Sequence, residues 1–257
     1  MSRVQRVIVM RHGDRFHDCA DPQLTELGFQ QARQAADTLR SADVGISAIF
    51  CSPFLRALQT AAPVATALGI PVHVDRGFCE LLAHHWLYTE NPLPALAFEQ
   101  FPGAALPFVP AELISLIHKS PVPDYPDHEN EARQGDTAQR AKCLARYREA
   151  LDRMFAAVGD HAHTVLIVGH GATADYVAQA LAPSEHQTTH HSPFCVDHVS
   201  LTTLVRDTSR TDGWRLYGFG EPGPTRLLAG GWQGRFRWIE HEDKGRIGHE
   251  WTVDETG

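Results

Sequence analysis

No apolar run in this 257-residue chain approaches the roughly 18 residues that a membrane-spanning helix requires, so no membrane span is expected. A basic excess is also missing. Lys and Arg number 23 against 31 Asp and Glu, a formal net charge of −8, which argues against nucleic acid or an anionic membrane surface as the main partner. A phosphorylated small substrate stays compatible, because a local Arg cluster can be strongly positive inside an acidic protein. Cysteine is sparse: Cys19, Cys51, Cys79, Cys143 and Cys195 are an odd number with no close pairs. Neither a disulfide framework nor a metal or redox spacing emerges, and reduced thiols in a cytoplasmic compartment are expected. Cys51 and Cys79 read as small buried hydrophobes rather than pocket wall. Met1 to Arg6 is too short and polar for a secretory leader. Internal repeats and an interdomain linker are both lacking, so one domain spanning 1–257 is the simplest organisation.

What is present suffices for a substantial core, with 43% apolar residues. The patterning predicts a strand at about 4–10, then a loop to residue 22 and a helix from Leu24 to about Arg40. A strand at 46–50 follows, with Ser52-Pro53 as N-cap and first-turn pair of a helix over Leu55 to Leu68 that Gly69 closes. Pro71 to Val74 makes a short third strand. This strand-helix alternation marks an α/β protein, a three-layer α/β/α sandwich around a mostly parallel sheet. From Glu80 to Gly135 the alternation stops, and eight prolines and three Phe occupy the stretch. A loop this long reads as an insertion forming a cap or a substrate-pocket wall. Leu113 to Ile117 predicts a short helix within it. Thr137 to Ala157 predicts a long helix whose Leu144, Tyr147, Leu151, Met154 and Phe155 form a core stripe. A strand at 163–168, a helix at about 172–181, and strands near 199–205 and 214–219 complete the pattern. The tail from Gly220 shows no clear periodicity.

Chemistry concentrates where predicted strands end, the place where open α/β sheets bind ligands. Arg11, His12, Gly13, Asp14 and Arg15 follow the first strand. Two guanidinium groups around one imidazole suit a phosphoryl group with a nucleophile beneath it. Arg56 sits in the first turns of the second helix, where backbone N–H groups and the helix dipole add to its attraction for an anion. His170, between Gly169 and Gly171, follows the strand at 163–168, and Glu80 follows the third strand.

These residues carry a resemblance. Arg11-His12-Gly13, the run Cys51-Ser52-Pro53-Phe54-Leu55-Arg56-Ala57-Leu58-Gln59-Thr60-Ala61, and Gly169-His170-Gly171 resemble, in order, the three motifs of the histidine phosphatase superfamily. The likeness covers roughly residues 4–205 and implies the phosphoglycerate mutase-like fold. It implies His12 as the nucleophile carrying the phosphoryl group, with Arg11, Arg15, Arg56 and His170 as the phosphate pocket and Glu80 as proton donor. Arg-His-Gly-Asp-Arg and the run Val74 to Leu82 look closest to the phosphatase domains of the ubiquitin-associated/SH3 suppressors of T-cell receptor signalling and to the ecdysteroid-phosphate phosphatases. There Glu usually stands where this chain has Asp14.

The expected activity is metal-independent hydrolysis of phosphate monoesters through a phosphohistidine. Three guanidinium groups can neutralise a phosphate monoester without a metal, so no cofactor is expected. The adjacent pairs His84-His85 and His190-His191, and His198, lack metal-ligand spacing. Asp14, nearer His12 in sequence, is the rival proton donor. One alternative is a phosphoglycerate mutase-like phosphotransferase. Residues 80–132 hold one Lys, no Arg and the acidic Asp124, Asp127, Glu129 and Glu131, which disfavours polyanionic substrates. The expected partner is therefore a monoester with a neutral, apolar or aromatic leaving group, or a phosphotyrosine-like group. Phe16, Phe54 and Trp86 are candidate pocket lining, with Tyr88, Phe98, Phe101 and Phe108 further along the insertion. A non-catalytic phospholigand-binding protein is the second alternative, and a homodimer stays open.

Overall fold

The computed structural model describes residues 4–16, 21–80, 114–116, 137–159, 164–184, 196–221, 234–241 and 246–253. Most of the Pro-rich stretch, including Trp86, Tyr88, Phe98, Phe101 and Phe108, lies outside the described residues, as do the His84-His85 and His190-His191 pairs.

Four apolar strands build the centre. β1 (Arg6–Arg11), β2 (Ile46–Cys51), β3 (Val72–Val74) and β5 (Thr164–Gly169) are parallel to one another. With β4 (Ile114–Leu116), β6 (Leu201–Arg206) and β7 (Trp214–Glu221) they form one seven-stranded sheet in the order β4-β3-β2-β5-β1-β6-β7. β4 joins parallel to β3, while β6 and β7 run antiparallel to their neighbours.

Alternate residues of one strand feed two separate cores, which is why these strands are apolar throughout rather than alternating. Val7 and Val9 of β1 join one core with Phe50, Val165 and Ile167. Helices α3 (Thr137–Val158) and α4 (Gly171–Leu181) cover that face with Tyr147, Met154, Tyr176 and Val177. Ile8 and Met10 join the other core with Ile49, Leu166 and Val168. There α1 (Glu26–Ala42) and α2 (Leu55–Leu68) supply Ala35, Leu39, Leu58 and Ala61. The result is the α/β/α sandwich that the strand-helix alternation predicts.

Local departures have physical reasons. Within the stretch Leu113 to Ile117, the described Ile114–Leu116 is extended and adds a strand to β3 instead of a helix. A five-residue run with four apolar residues around Ser115 fits either state, and an open parallel edge decides it. Ser52 does not cap α2 either. The N-cap is Phe54, which makes no side-chain capping bond, and the Leu55 N–H donates instead to Asp21 at 2.8 Å. Gly69 closes α2 in the left-handed conformation, as expected. The tail is not without order: β8 (Gly234–His241) and β9 (Arg246–Val253) pair antiparallel in a sheet of their own.

Candidate active site

Register brings the chemistry together. β1 and β5 are adjacent and aligned so that Arg11 sits opposite Gly169. The next residues, His12 and His170, therefore emerge side by side, and the His12 N–H donates to the Gly169 carbonyl at 2.8 Å. Their rings meet edge to face with centroids 5.3 Å apart. β2 contributes from the other side of β5, where the Ser52 N–H donates to Val168 and leads into α2 and Arg56. β3 leads into a 3-10 turn at Arg76–Phe78 and then to Glu80.

His12 is buried, and its Nδ1 lies 2.7 Å from the Gly13 carbonyl oxygen. That contact places the proton on Nδ1 and leaves Nε2 with a lone pair, the state a nucleophilic imidazole requires. Close packing of backbone holds the loop. The Gly13 N–H donates to Thr60 of α2 at 3.0 Å, and a Cβ on Gly13 would come within 2.8 Å of the Gly28 carbonyl oxygen. Asp14 braces the same loop: its carboxylate accepts from the Thr25 hydroxyl at 2.6 Å and its N–H donates to Gln31 at 2.7 Å.

Arg56 is fully buried, with its guanidinium 4.5 Å above the Phe54 ring. Its Nε and Nη1, and the Nε of Arg11, have no hydrogen-bond partner among the described residues. Buried donors left open in this way match an anion that takes their hydrogen bonds. Arg11 also donates to the Val196 carbonyl. Burial pushes its pKa down to about 10, partly opposed by Glu80. Arg15 stands at the rim, donating to the Phe16 carbonyl at 3.0 Å, and its charge is felt by both Arg11 and His170.

His170 is fully buried, and its Nε2 lies 2.8 Å from the Ser52 hydroxyl. The same hydroxyl accepts from the Phe54 N–H at 3.4 Å. Glu80 Oε2 is 3.4 Å from His170 Nδ1 and 3.8 Å from Arg56 Nη2, and Glu80 keeps 19% of its side chain exposed. Among the proposed site residues, His12, Arg11, Arg56, His170 and Glu80 thus share one place, with Arg15 at its edge. Phe54 is buried beneath Arg56 and edge-on to His170 at 5.3 Å, so it supports those groups from below. Phe16 points outward with 44% exposure, and Trp86 lies outside the described residues.

The electrostatics agree on an anion. His12 titrates well below the ordinary histidine value because of burial first and then Arg56 and Arg11. His170 shifts the same way, through burial, Arg56, Arg15 and Arg11. His12, Glu80 and His170 bring ligand-type atoms within 4.8 Å of one another, close enough in principle for a metal ion. Two guanidinium groups at the same point oppose a cation and favour a phosphoryl group.

One wall of the site was not legible in the sequence. The turn before β6 carries Val199, whose φ of 50° is a strained left-handed conformation for a β-branched residue. Its N–H is 3.1 Å from the Arg11 carbonyl oxygen and 3.4 Å from that of His12. The preceding His198 stacks obliquely at 5.6 Å from the His12 ring and reaches Asp14 at 3.6 Å. Asp197, whose pKa burial raises and Arg11 lowers, belongs to the same turn. The only available signal was the strand start that follows.

The sequence profile of the histidine phosphatase superfamily (branch 1) matches residues 7–93, a stretch that contains Arg11, His12, Arg56 and Glu80. Over that stretch the chain is similar to the histidine phosphatase superfamily. It is 46% identical over 61 residues to the transcription factor tau 55 kDa subunit of Saccharomyces cerevisiae, covering 24% of this chain and 14% of that protein. It is 39% identical over 69 residues to phosphohistidine phosphatase SixA of Escherichia coli, covering 26% of this chain and 43% of that protein. The matched stretches thus span less than half the length of either relative. A crystal structure of the ecdysone phosphate phosphatase from Bombix mori in complex with tungstate superposes with a TM-score of 0.56 at 18% identity. That match covers 85% of this chain and 93% of the other, and it shows a shared fold.

Proposed function

We propose that this protein is a metal-independent phosphomonoesterase that works through a phosphohistidine on His12. The observation that carries the reading is a neutral imidazole, tethered at Nδ1 to Gly13, set among buried guanidinium donors that have hydrogen bonds to give. Arg11, Arg56, Arg15 and His170 hold the phosphoryl oxygens and neutralise them. His12 Nε2 attacks phosphorus in line. The phosphorus–oxygen ester bond breaks as the phosphorus–nitrogen bond forms, and protonated Glu80 delivers its proton to the departing oxygen. Water then loses a proton to Glu80 and attacks phosphorus, which returns the free imidazole and orthophosphate. Asp14 is the weaker candidate for the acid, because its carboxylate is engaged with Thr25 and faces His198.

The leaving group is read as neutral, apolar or aromatic, supported by the single Lys and absent Arg across residues 80–132. That composition disfavours the mutase alternative, which needs added cations for a second acidic group. Retention of all five central residues disfavours a purely binding role. A cytoplasmic setting fits the buried thiols of Cys51, Cys79 and Cys143, which form no disulfide among the described residues. No helix among the described residues is long and apolar enough to cross a membrane.

The test is a panel of phosphotyrosine, 3-phosphoglycerate, a prenyl phosphate, a steroid phosphate and p-nitrophenyl phosphate, assayed with and without EDTA. The expected result is hydrolysis of apolar and aryl monoesters at rates that EDTA leaves unchanged. Strict dependence on added Mg²⁺ or Zn²⁺, or preference for phosphoglycerate, would overturn the reading.

A further inference from the structure

A carbonyl just ahead of Glu80 receives two buried donors from α3. Arg146 Nη1 donates to the Cys79 carbonyl at 3.1 Å and to that of Gly77 at 2.9 Å. The Tyr147 hydroxyl donates to the same Cys79 carbonyl at 2.9 Å. Arg146 is 6% exposed and Tyr147 is fully buried. A core helix has no packing need for a guanidinium and a phenol here, since burying such groups is unfavourable unless their hydrogen bonds are met. The peptide group is planar, so fixing the Cys79 oxygen also fixes the nitrogen and Cα of Glu80. The rest of the turn is anchored from the same helix. Arg153 binds Asp75 through two bonds of 3.0 and 2.9 Å, and Asp75 accepts from the Gly77 N–H at 2.7 Å.

The Tyr147 hydroxyl has a second contact, 3.3 Å from Thr173 Oγ1. Thr173 Oγ1 in turn accepts from the His170 N–H at 2.9 Å. One hydroxyl therefore touches both the segment that carries Glu80 and the segment that carries His170. The ring that bears it stacks flat on Tyr176 at 5.3 Å, and the Arg146 guanidinium lies 4.8 Å from its centroid.

We infer that Arg146 and Tyr147 are positioning residues, which set the Glu80 carboxylate against His170 and Arg56 so that it meets the leaving oxygen. This rests on the reading of the protein as a phosphomonoesterase with Glu80 as its acid. Misplacement by about 1 Å can cost around a hundredfold in rate, so a loosened Glu80 should be visible kinetically. Its signature is leaving-group dependence, because nitrophenolate departs without a proton and an alkoxide does not.

The experiment measures kcat/KM for an alkyl phosphate and for p-nitrophenyl phosphate in the full chain and in Tyr147→Phe, Arg146→Lys, Arg146→Met and Glu80→Gln. Tyr147→Phe keeps the ring on Tyr176, and thermal melts check that each variant folds. Tyr147→Phe should lose about tenfold or more on the alkyl ester and much less on the nitrophenyl ester. Arg146→Lys should retain part of what Arg146→Met loses. In a Glu80→Gln background, Tyr147→Phe should cost little further, because both changes remove the same proton delivery. Equal losses on both esters, or full additivity with Glu80→Gln, would overturn the positioning role and leave the phosphomonoesterase reading intact. Failure of the unsubstituted chain to cleave either ester would overturn both.

Discussion

At the scale of single residues, the site is a set of buried groups whose charge states the fold controls. His12 and His170 are held neutral by burial and by the guanidinium groups around them. The unfolded chain takes up those protons near pH 6.5, whereas the native protein resists until a lower pH. Between the two values the unfolded state binds more protons, so stability rises with pH across that window. The expectation is a melting temperature that holds above about pH 6.5 and falls on acidification below it. Orthophosphate should restore part of the loss, since a bound anion favours charged imidazole. Melts from about pH 5 to 8, with and without phosphate, check this. A His170→Gln variant with the same acid slope as the unsubstituted protein would remove His170 from the explanation. Residue types at strand ends pointed to His12, Arg11, Arg56, His170 and Glu80, which the fold brings close together. His198 was not legible, because its approach to the His12 ring depends on the turn before β6, for which the local sequence carries no signal. Tyr147 was half-legible: its place in the apolar stripe of α3 showed that it is buried, but nothing local showed what its hydroxyl meets.

Among elements, the His12 loop and α1 meet backbone to backbone. A Cβ added at Gly28 would fall on the backbone carbonyl of Asp14, two residues after His12. Backbone cannot move aside as a flexible side chain can. Gly28→Ala should therefore destabilise the protein by about 1–3 kcal/mol, the usual cost of overpacking. It should also lower kcat/KM by shifting the Gly13 carbonyl that orients His12. A denaturant melt and a nitrophenyl phosphate assay on that variant check both effects, and an unchanged protein on both counts would show that the loop tolerates displacement. The long strands and helices were readable because strands buried on both faces are apolar throughout and the helices carry clear stripes. β4 was misread because a short apolar run has no periodicity of its own. β8 and β9 went unread because their residues, flanked by Gly-rich sequence, gain definition from pairing with each other.

For the whole molecule, an acidic chain concentrates positive charge at one end of a parallel sheet. The register of β1 against β5 supplies the two histidines, α2 supplies Arg56, and α3 fixes the turn that leads to Glu80. The three-layer architecture followed from the strand-helix alternation, and the convergence of the site followed from placing each motif after a strand. The central claim is that phosphoryl transfer passes through His12, and the most direct measurement is quench trapping of the protein with a radiolabelled aryl phosphate. The account predicts a protein-bound phosphoryl group that is labile to acid and stable to base, located on His12, lost in His12→Ala and formed equally in EDTA. Label on another residue, or turnover that persists in His12→Ala with a metal requirement, would contradict it.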